Sequence, residues 1–148
     1  MPLHFVSSFG KAKAIDLLLK RGASILTRVA DNAEALAYAI RGEDPGVAIA
    51  LLAQGADVNA TDKYMQSAIL VASRRDVRLL LQYGADVSAQ DYAEQTPLHP
   101  AALLAHKAVL NVLLESSPDI SICDHYGYNV LKMASIYGQE NVAKILLE

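Results

Sequence analysis

Apolar residues along this chain arrive in short bursts at helical spacing, two bursts to a unit, and each unit therefore reads as a pair of short helices. The second burst of a unit ends almost identically each time: Leu17-Leu18-Leu19-Lys20-Arg21-Gly22-Ala23, Leu51-Leu52-Ala53-Gln54-Gly55-Ala56-Asp57-Val58 and Leu79-Leu80-Leu81-Gln82-Tyr83-Gly84-Ala85-Asp86-Val87. A fourth, Val112-Leu113-Leu114-Glu115-Ser116-Ser117-Pro118-Asp119-Ile120, keeps the rhythm with Ser117 in the glycine position. The helix-ending positions Gly22, Gly55, Gly84 and Ser117 are 33, 29 and 33 residues apart. Asp62, Asp91 and Asp124 each follow the last three of them by seven residues, and Val29 stands at the first. Self-similarity at such a period marks a stack of repeats, in which neither helix of a unit buries its apolar face alone and stacking builds one continuous core.

Five units follow: about 1–30, 31–61, 62–90, 91–123 and 124–148, within a single domain of 148 residues. Thr96 reads as a helix N-cap and Pro97 as the first-turn proline after it, and Asp44-Pro45 repeats the device for a second helix. Glycine after the leucine runs suits the left-handed residue that ends a helix. Ser117 in that role costs about 1–2 kcal/mol unless the chain turns differently before Pro118. The third unit is four residues short. The shortening is expected between Ala72 and Leu79, with helices cut or joined abruptly near Arg74-Arg75-Asp76 and a local change of curvature. Ala48 and Ile49 break an otherwise regular second helix. The first unit lacks its leading turn, and the fifth stops inside its second helix. Both ends read as cut from a longer array, without polar capping repeats.

Thr96-Pro97-Leu98-His99-Pro100-Ala101-Ala102 resembles the Thr-Pro-Leu-His-x-Ala-Ala signature of the ankyrin repeat family. Pro2-Leu3-His4 matches part of it, and Gly55-Ala56-Asp57-Val58-Asn59 matches a second signature. The resemblance covers essentially the whole chain. It implies an all-α solenoid of helix–turn–helix units with short β-turn or hairpin tips. It also implies that His4 and His99 are structural, hydrogen-bonding across the turns, and that the chain binds proteins on a concave face.

Composition narrows the alternatives. An apolar fraction of 53% with 20% charged residues excludes a disordered tail. Thirteen Lys+Arg against sixteen Asp+Glu, a net charge of −3, offers no basic excess for a phosphate backbone. The cluster Arg74, Arg75 and Arg78 reads as a solvated helix face. The single cysteine, Cys123, excludes an intrachain disulfide and a four-cysteine zinc site, and fits a reducing compartment. No apolar run reaches the roughly 20 residues of a membrane span. The sequon Asn59-Ala60-Thr61 is assigned to the repeat pattern and not to glycosylation.

Chemistry of a catalytic kind is not expected. No two of His4, His99, His106 and His125 have helical metal-ligand spacing. Cys123 and His125 sit on one exposed turn without an orienting third group. Asp57, Asp86, Asp91 and Asp124 recur once per unit, as turn-forming residues do. The chain is read as a non-enzyme without cofactor or metal, monomeric, cytoplasmic or nuclear, with a protein partner.

Binding is expected on the turn tips and the exposed ends of the first helices. The tips are Lys63, Tyr64 and Gln66; Tyr92, Ala93 and Gln95; and His125, Tyr126 and Tyr128, with Ala30, Asp31 and Ala33 in the second unit. The helix ends are Ser8 and Phe9, Arg41 and Gly42, Leu103 and Leu104, and Ile136 and Tyr137, with Arg74 and Arg75 in the shortened unit. Tyr64, Tyr92 and Tyr126 stand at three successive tips. Tyrosine there either meets a partner or lies across neighbouring turns and shields backbone. Leu103, Leu104, Ile136 and Tyr137 either form an apolar contact surface or pack on one another.

Overall fold

The computed structural model describes residues 35–37, 39–41, 45–62 and 64–148. Residues 35–37 and 39–41 are helical. They are followed by α1 (Pro45–Ala53), a 3-10 turn (Ala68–Val71), α2 (Arg74–Gln82), α3 (Leu98–Leu103), α4 (Lys107–Leu114), α5 (Val130–Ile136) and α6 (Glu140–Leu147). Among the described residues there is no strand, and one isolated antiparallel bridge joins Thr61 and Ser67 beneath a turn tip. The fold is the all-α stack of helix pairs that the repeat predicts.

Each helix is too short to persist in water by itself and is held by what it packs against. Within units, the 3-10 turn packs on α2, α3 on α4, and α5 on α6. Between units, α3 packs on α5 and α2 on α4. First helices therefore form one layer and second helices another. Leu36, Leu51, Leu80, Leu98, Leu110 and Leu113 lie fully buried between the layers, in a core cluster that runs from Ala35 to Leu146. Each such leucine contributes about 1.5–3 kcal/mol. Local signals set the helix starts. Asn129 caps α5 by accepting the Lys132 N–H at 2.9 Å, and Glu140 and Lys144 sit at the ends of α6 that the helix dipole favours. Pro45 opens α1, as a first-turn proline should; Asp44 lies outside the described residues.

Three expectations need correction or completion. Thr96 does not cap a helix with its side chain; its hydroxyl and its N–H both meet Nδ1 of His99, at 2.9 and 3.0 Å. The missing residues of the third unit come out of its first helix. That helix is reduced to one 3-10 turn, Ala72 and Ser73 follow directly, and α2 keeps nine residues. Arg74 and Arg75 thus open a second helix and do not end a first one. Ser117, finally, retains the left-handed backbone with φ 50°, beside φ 86° at Gly55 and 81° at Gly84. The serine carries the strain, and the turn is not rebuilt before Pro118.

Candidate functional site

Each tip is built on one aspartate. Asp62 Oδ1 accepts the N–H groups of Tyr64 and Gln66 at 2.8 and 3.0 Å. Asp91 does the same for Ala93 and Gln95 at 2.8 and 3.0 Å, and Asp124 for Tyr126 and Tyr128 at 3.0 and 2.9 Å. The backbone closes each loop: Asp62, Asp91 and Asp124 donate their own N–H to the carbonyls of Gln66, Gln95 and Tyr128. One carboxylate thus satisfies two donors that an exposed turn would leave to water. A second row of such turns uses Asp57, Asp86 and Asp119, each accepting the N–H two residues on. Bonds from the Ser121 hydroxyl and N–H hold the Asp119 carboxyl below its ordinary value of 3.8. The recurrent aspartates are turn chemistry, as their periodicity predicts.

Successive tips are tied to one another. The Tyr92 N–H donates to the Tyr64 carbonyl at 3.3 Å, and the His125 N–H to the Ala93 carbonyl at 3.0 Å. His99, fully buried, adds a deeper tie. Its Nε2 lies 3.0 Å from the Tyr128 carbonyl in the next unit. A carbonyl can only accept and the Thr96 N–H can only donate, so the ring is neutral, with its hydrogen on Nε2 and Nδ1 as acceptor. Asn59 ties the second unit to the third in a comparable way, donating to the Gly84 carbonyl at 3.1 Å and accepting the Asp86 N–H at 2.8 Å. The sequon asparagine is thereby occupied in a structural bond.

The tips carry the tyrosines outward: Tyr64, Tyr92 and Tyr126 are 56, 71 and 68% exposed. The His125 ring lies 3.8 Å from that of Tyr126, Tyr128 is 6.3 Å beyond, and Lys132 Nζ stands 4.3 Å over the Tyr128 ring. Gln66, Gln95 and Tyr128 are half-buried, their backbones tied to the aspartates. Met65, exposed and left-handed at its tip, was not among the residues expected from the sequence. Its register with Glu94 and Gly127, also left-handed, is the signal that would have found it.

At the first-helix ends the expected apolar group separates. Leu104, Ile136 and Tyr137 are exposed, whereas Leu103 is half-buried and its carbonyl accepts a bond from Gln139 Nε2 at 3.2 Å. Arg41 is exposed and reaches Gln66 Oε1 at 3.5 Å, linking a helix end to the next tip. Arg75 is exposed at the start of α2. Arg78 pairs with Glu115 at 3.0 Å on the second-helix layer. Lys63, Gly42, Ser8, Phe9, Ala30, Asp31, Ala33 and His4 lie outside the described residues. His106 stands at the N-cap position of α4. Cys123 is exposed, its thiol facing the Ser121 carbonyl at 3.5 Å. Among the described residues no group of three or more His, Cys, Asp or Glu could hold a metal ion, and no helix is long and apolar enough to cross a membrane.

A family model describing ankyrin repeats in three copies matches residues 63–148. The chain is 32% identical over 100 residues to the ankyrin repeat protein FPV244 of Fowlpox virus (strain NVSL), a match covering 68% of this chain and 15% of that protein. It is 29% identical over 100 residues to ankyrin repeat and SOCS box protein 11 of Danio rerio, covering 66% of this chain and 34% of that protein. The matched length is thus well under half of either relative.

Proposed function

The chain belongs to the ankyrin repeat family, and we propose that it is a protein-interaction module, an adaptor or scaffold segment holding a partner peptide or domain across its tips and first-helix ends. Ankyrin repeats are in general protein–protein interaction modules. The observation that carries the reading here is the row of tip tyrosines. Tyr64, Tyr92 and Tyr126 project from turns that are closed by aspartate and linked backbone to backbone. Exposed aromatic rings on a rigid support offer large contact area at little conformational cost. Leu104, Ile136 and Tyr137 extend the surface with apolar area.

On this reading the chain itself carries no catalysis, takes no cofactor, acts as a monomer and works in the cytoplasm or nucleus. A second reading is favoured by the partial coverage of the relatives: this is the regulatory segment of a larger protein whose activity lies in other domains. Affinity capture with the intact chain and with a Tyr92→Ala/Tyr126→Ala variant, partners identified by mass spectrometry, tests the surface. A partner retained by the first and lost by the second supports the reading, with each hot-spot tyrosine costing about 2 kcal/mol or more. Unchanged affinity in the variant overturns the tip assignment.

A further inference from the structure

The bonds that join one unit to the next differ from joint to joint. Between the second and third units, Asn59 donates to the Gly84 carbonyl and accepts the Asp86 N–H. Between the fourth and fifth, the buried His99 ring reaches the Tyr128 carbonyl, and α3 packs on α5. Between the third and fourth, neither device is present. Counted from the helix-ending residues Gly55 and Gly84, Ser88 stands where Asn59 does. Its N–H bonds Asp86 in the same unit, and its hydroxyl makes no bond across the joint. Counted from Asp62 and Asp91, Leu70 stands where His99 does. Leucine has nothing to donate to the Gln95 carbonyl, the equivalent of that of Tyr128, and it leaves the Ser67 hydroxyl buried without a partner.

What holds this joint lies in the second-helix layer and at the tips. α2 packs on α4, with the exposed Arg78–Glu115 pair at 3.0 Å beside it. The Tyr92 N–H meets the Tyr64 carbonyl at 3.3 Å, a longer bond than the 3.0 Å from His125 to Ala93 at the next tip. The first-helix layer is interrupted. The 3-10 turn packs on α2 and has no comparable packing on α3. Between them lies an apolar hollow of about 320 Å³, with Ile69 and Leu70 on one side and Pro97, Pro100 and Leu104 on the other. The walls of a hollow have no partner atoms across it, so shifting them gives up little dispersion energy. A further hollow of about 390 Å³, among Arg41, Pro45, Arg75 and Asp76, flanks the third unit toward the second. That joint, however, is bridged by Asn59 and by Arg41 on Gln66.

We infer that the joint between the third and fourth units is a hinge. The body that ends with α2 and the body from α3 to α6 tilt on the α2–α4 contact, by small sliding of packed helices, and the first-helix side opens and closes over the apolar hollow. Tyr64 moves with the first body, and Tyr92 and Tyr126 with the second. The hinge goes beyond the interaction-module reading and does not depend on it.

The test measures amide residual dipolar couplings of the intact, isotopically labelled chain in two alignment media. Couplings of α1 and α2 should fit one alignment tensor and those of α3 to α6 another, the two differing in magnitude by at least a fifth. Two substitutions restore the missing bonds independently. Leu70→His sets a ring between the Ser67 hydroxyl and the Gln95 carbonyl. Ser88→Asn gives the third unit the reach of Asn59, toward the Ser117 carbonyl and the Asp119 N–H. Each should at least halve the difference in magnitude, and the double variant should bring α1 to α6 into one tensor. Circular dichroism checks the fold of each, and because the two sites are separate, either variant decides alone. A single tensor for α1 to α6 in the wild type overturns the hinge, as does a break between α1 and α2 or between α3 and α5. Two tensors that neither substitution brings together overturn it as well, because the missing bonds would then not be what frees the joint. Couplings of α2 that fit no single helix geometry would mean a frayed third unit in place of a tilting one, and would also overturn it. None of these outcomes bears on partner capture at the tips, so the interaction-module reading stands or falls separately.

Discussion

Ser117 shows what one residue costs in a periodic structure. Gly55 and Gly84 fill the same position with nothing within 4 Å of where a Cβ would stand, so the demand there is on the backbone alone. Ser117 meets it with φ 50° and a Cβ. Ser117→Gly should therefore stabilise the protein by about 0.5–1 kcal/mol, the relief of left-handed strain less the entropy glycine gains when unfolded. Gly84→Ser should cost a similar amount; equilibrium denaturation reads both, and equal stability of wild type and Ser117→Gly would contradict the account. Asp119 makes a second residue-scale case. Its pKa is lowered first by the Ser121 hydroxyl and then by the Ser121 N–H. A carboxylate so depressed contributes stability above its unfolded pKa and loses it as pH falls through the folded one. In a carboxyl-carbon NMR titration, Ser121→Ala should move the Asp119 midpoint upward; an unmoved midpoint would remove the hydroxyl as the leading cause. The aspartate turns were legible in the sequence because they recur with nothing else constant around them. Left-handed Met65 and Glu94 were not, because neither residue type announces that conformation and only Gly127 in the same register does.

Among elements, the tip loop is the unit on which the proposed surface depends. Asp91 accepts two N–H groups, and the loop it closes supplies the Tyr92 N–H and the Ala93 carbonyl to the tips on either side. Asp91→Ala should cost about 2 kcal/mol, in the range of charge-assisted bonds to backbone, and should raise amide exchange at Tyr92 and His125 as well as at Ala93 and Gln95. Exchange confined to the mutated loop would show that the tips are independent. The sequence placed the shortening of the third unit between Ala72 and Leu79 but did not say which helix loses the residues. Periodicity fixes how many residues are missing, whereas which helix gives them up depends on burial. In α2, Val77 and Leu80 are completely buried and Asp76 takes the Ser73 hydroxyl, so that helix has the more to lose. The same register leaves a polar group stranded. Ser67 stands where Thr96 does, and Leu70 where His99 does. With leucine in place of the ring, the Ser67 hydroxyl is buried with no hydrogen-bond partner, at a cost of about 1–3 kcal/mol.

These local deficits converge on one place in the molecule. A repeat array is close to one-dimensional, each unit held by its neighbours, so its weakest interface decides how it opens. The third unit combines a single 3-10 turn, a buried hydroxyl without a partner and hollows on both sides. Its Leu70 N–H reaches Ser67 at 3.2 Å and its Ala72 N–H reaches Ile69 at 3.5 Å, whereas the Leu104 N–H reaches Pro100 at 3.0 Å. The fourth and fifth units lack these defects: Ala102, Leu110, Leu113, Ala134 and Val142 are fully buried, and His99 bonds one unit to the next. Native-state hydrogen exchange should find the amides of Leu70 and Ala72 exchanging by low-energy openings that leave α3 to α6 protected. Amides of α4 and α5 should exchange last, near the global free energy. Mild denaturant should narrow that gap in stability, because the opening of the third unit exposes little surface and the global opening much. His99→Ala, which cuts the tie between the fourth and fifth units, should bring the protection of α5 and α6 down toward that of the third unit while leaving α1 and α2 unchanged. If Leu70 and Ala72 were instead protected as strongly as α4, the short hairpin would be as firmly held as its neighbours, and the third unit would not be the weak point of the stack.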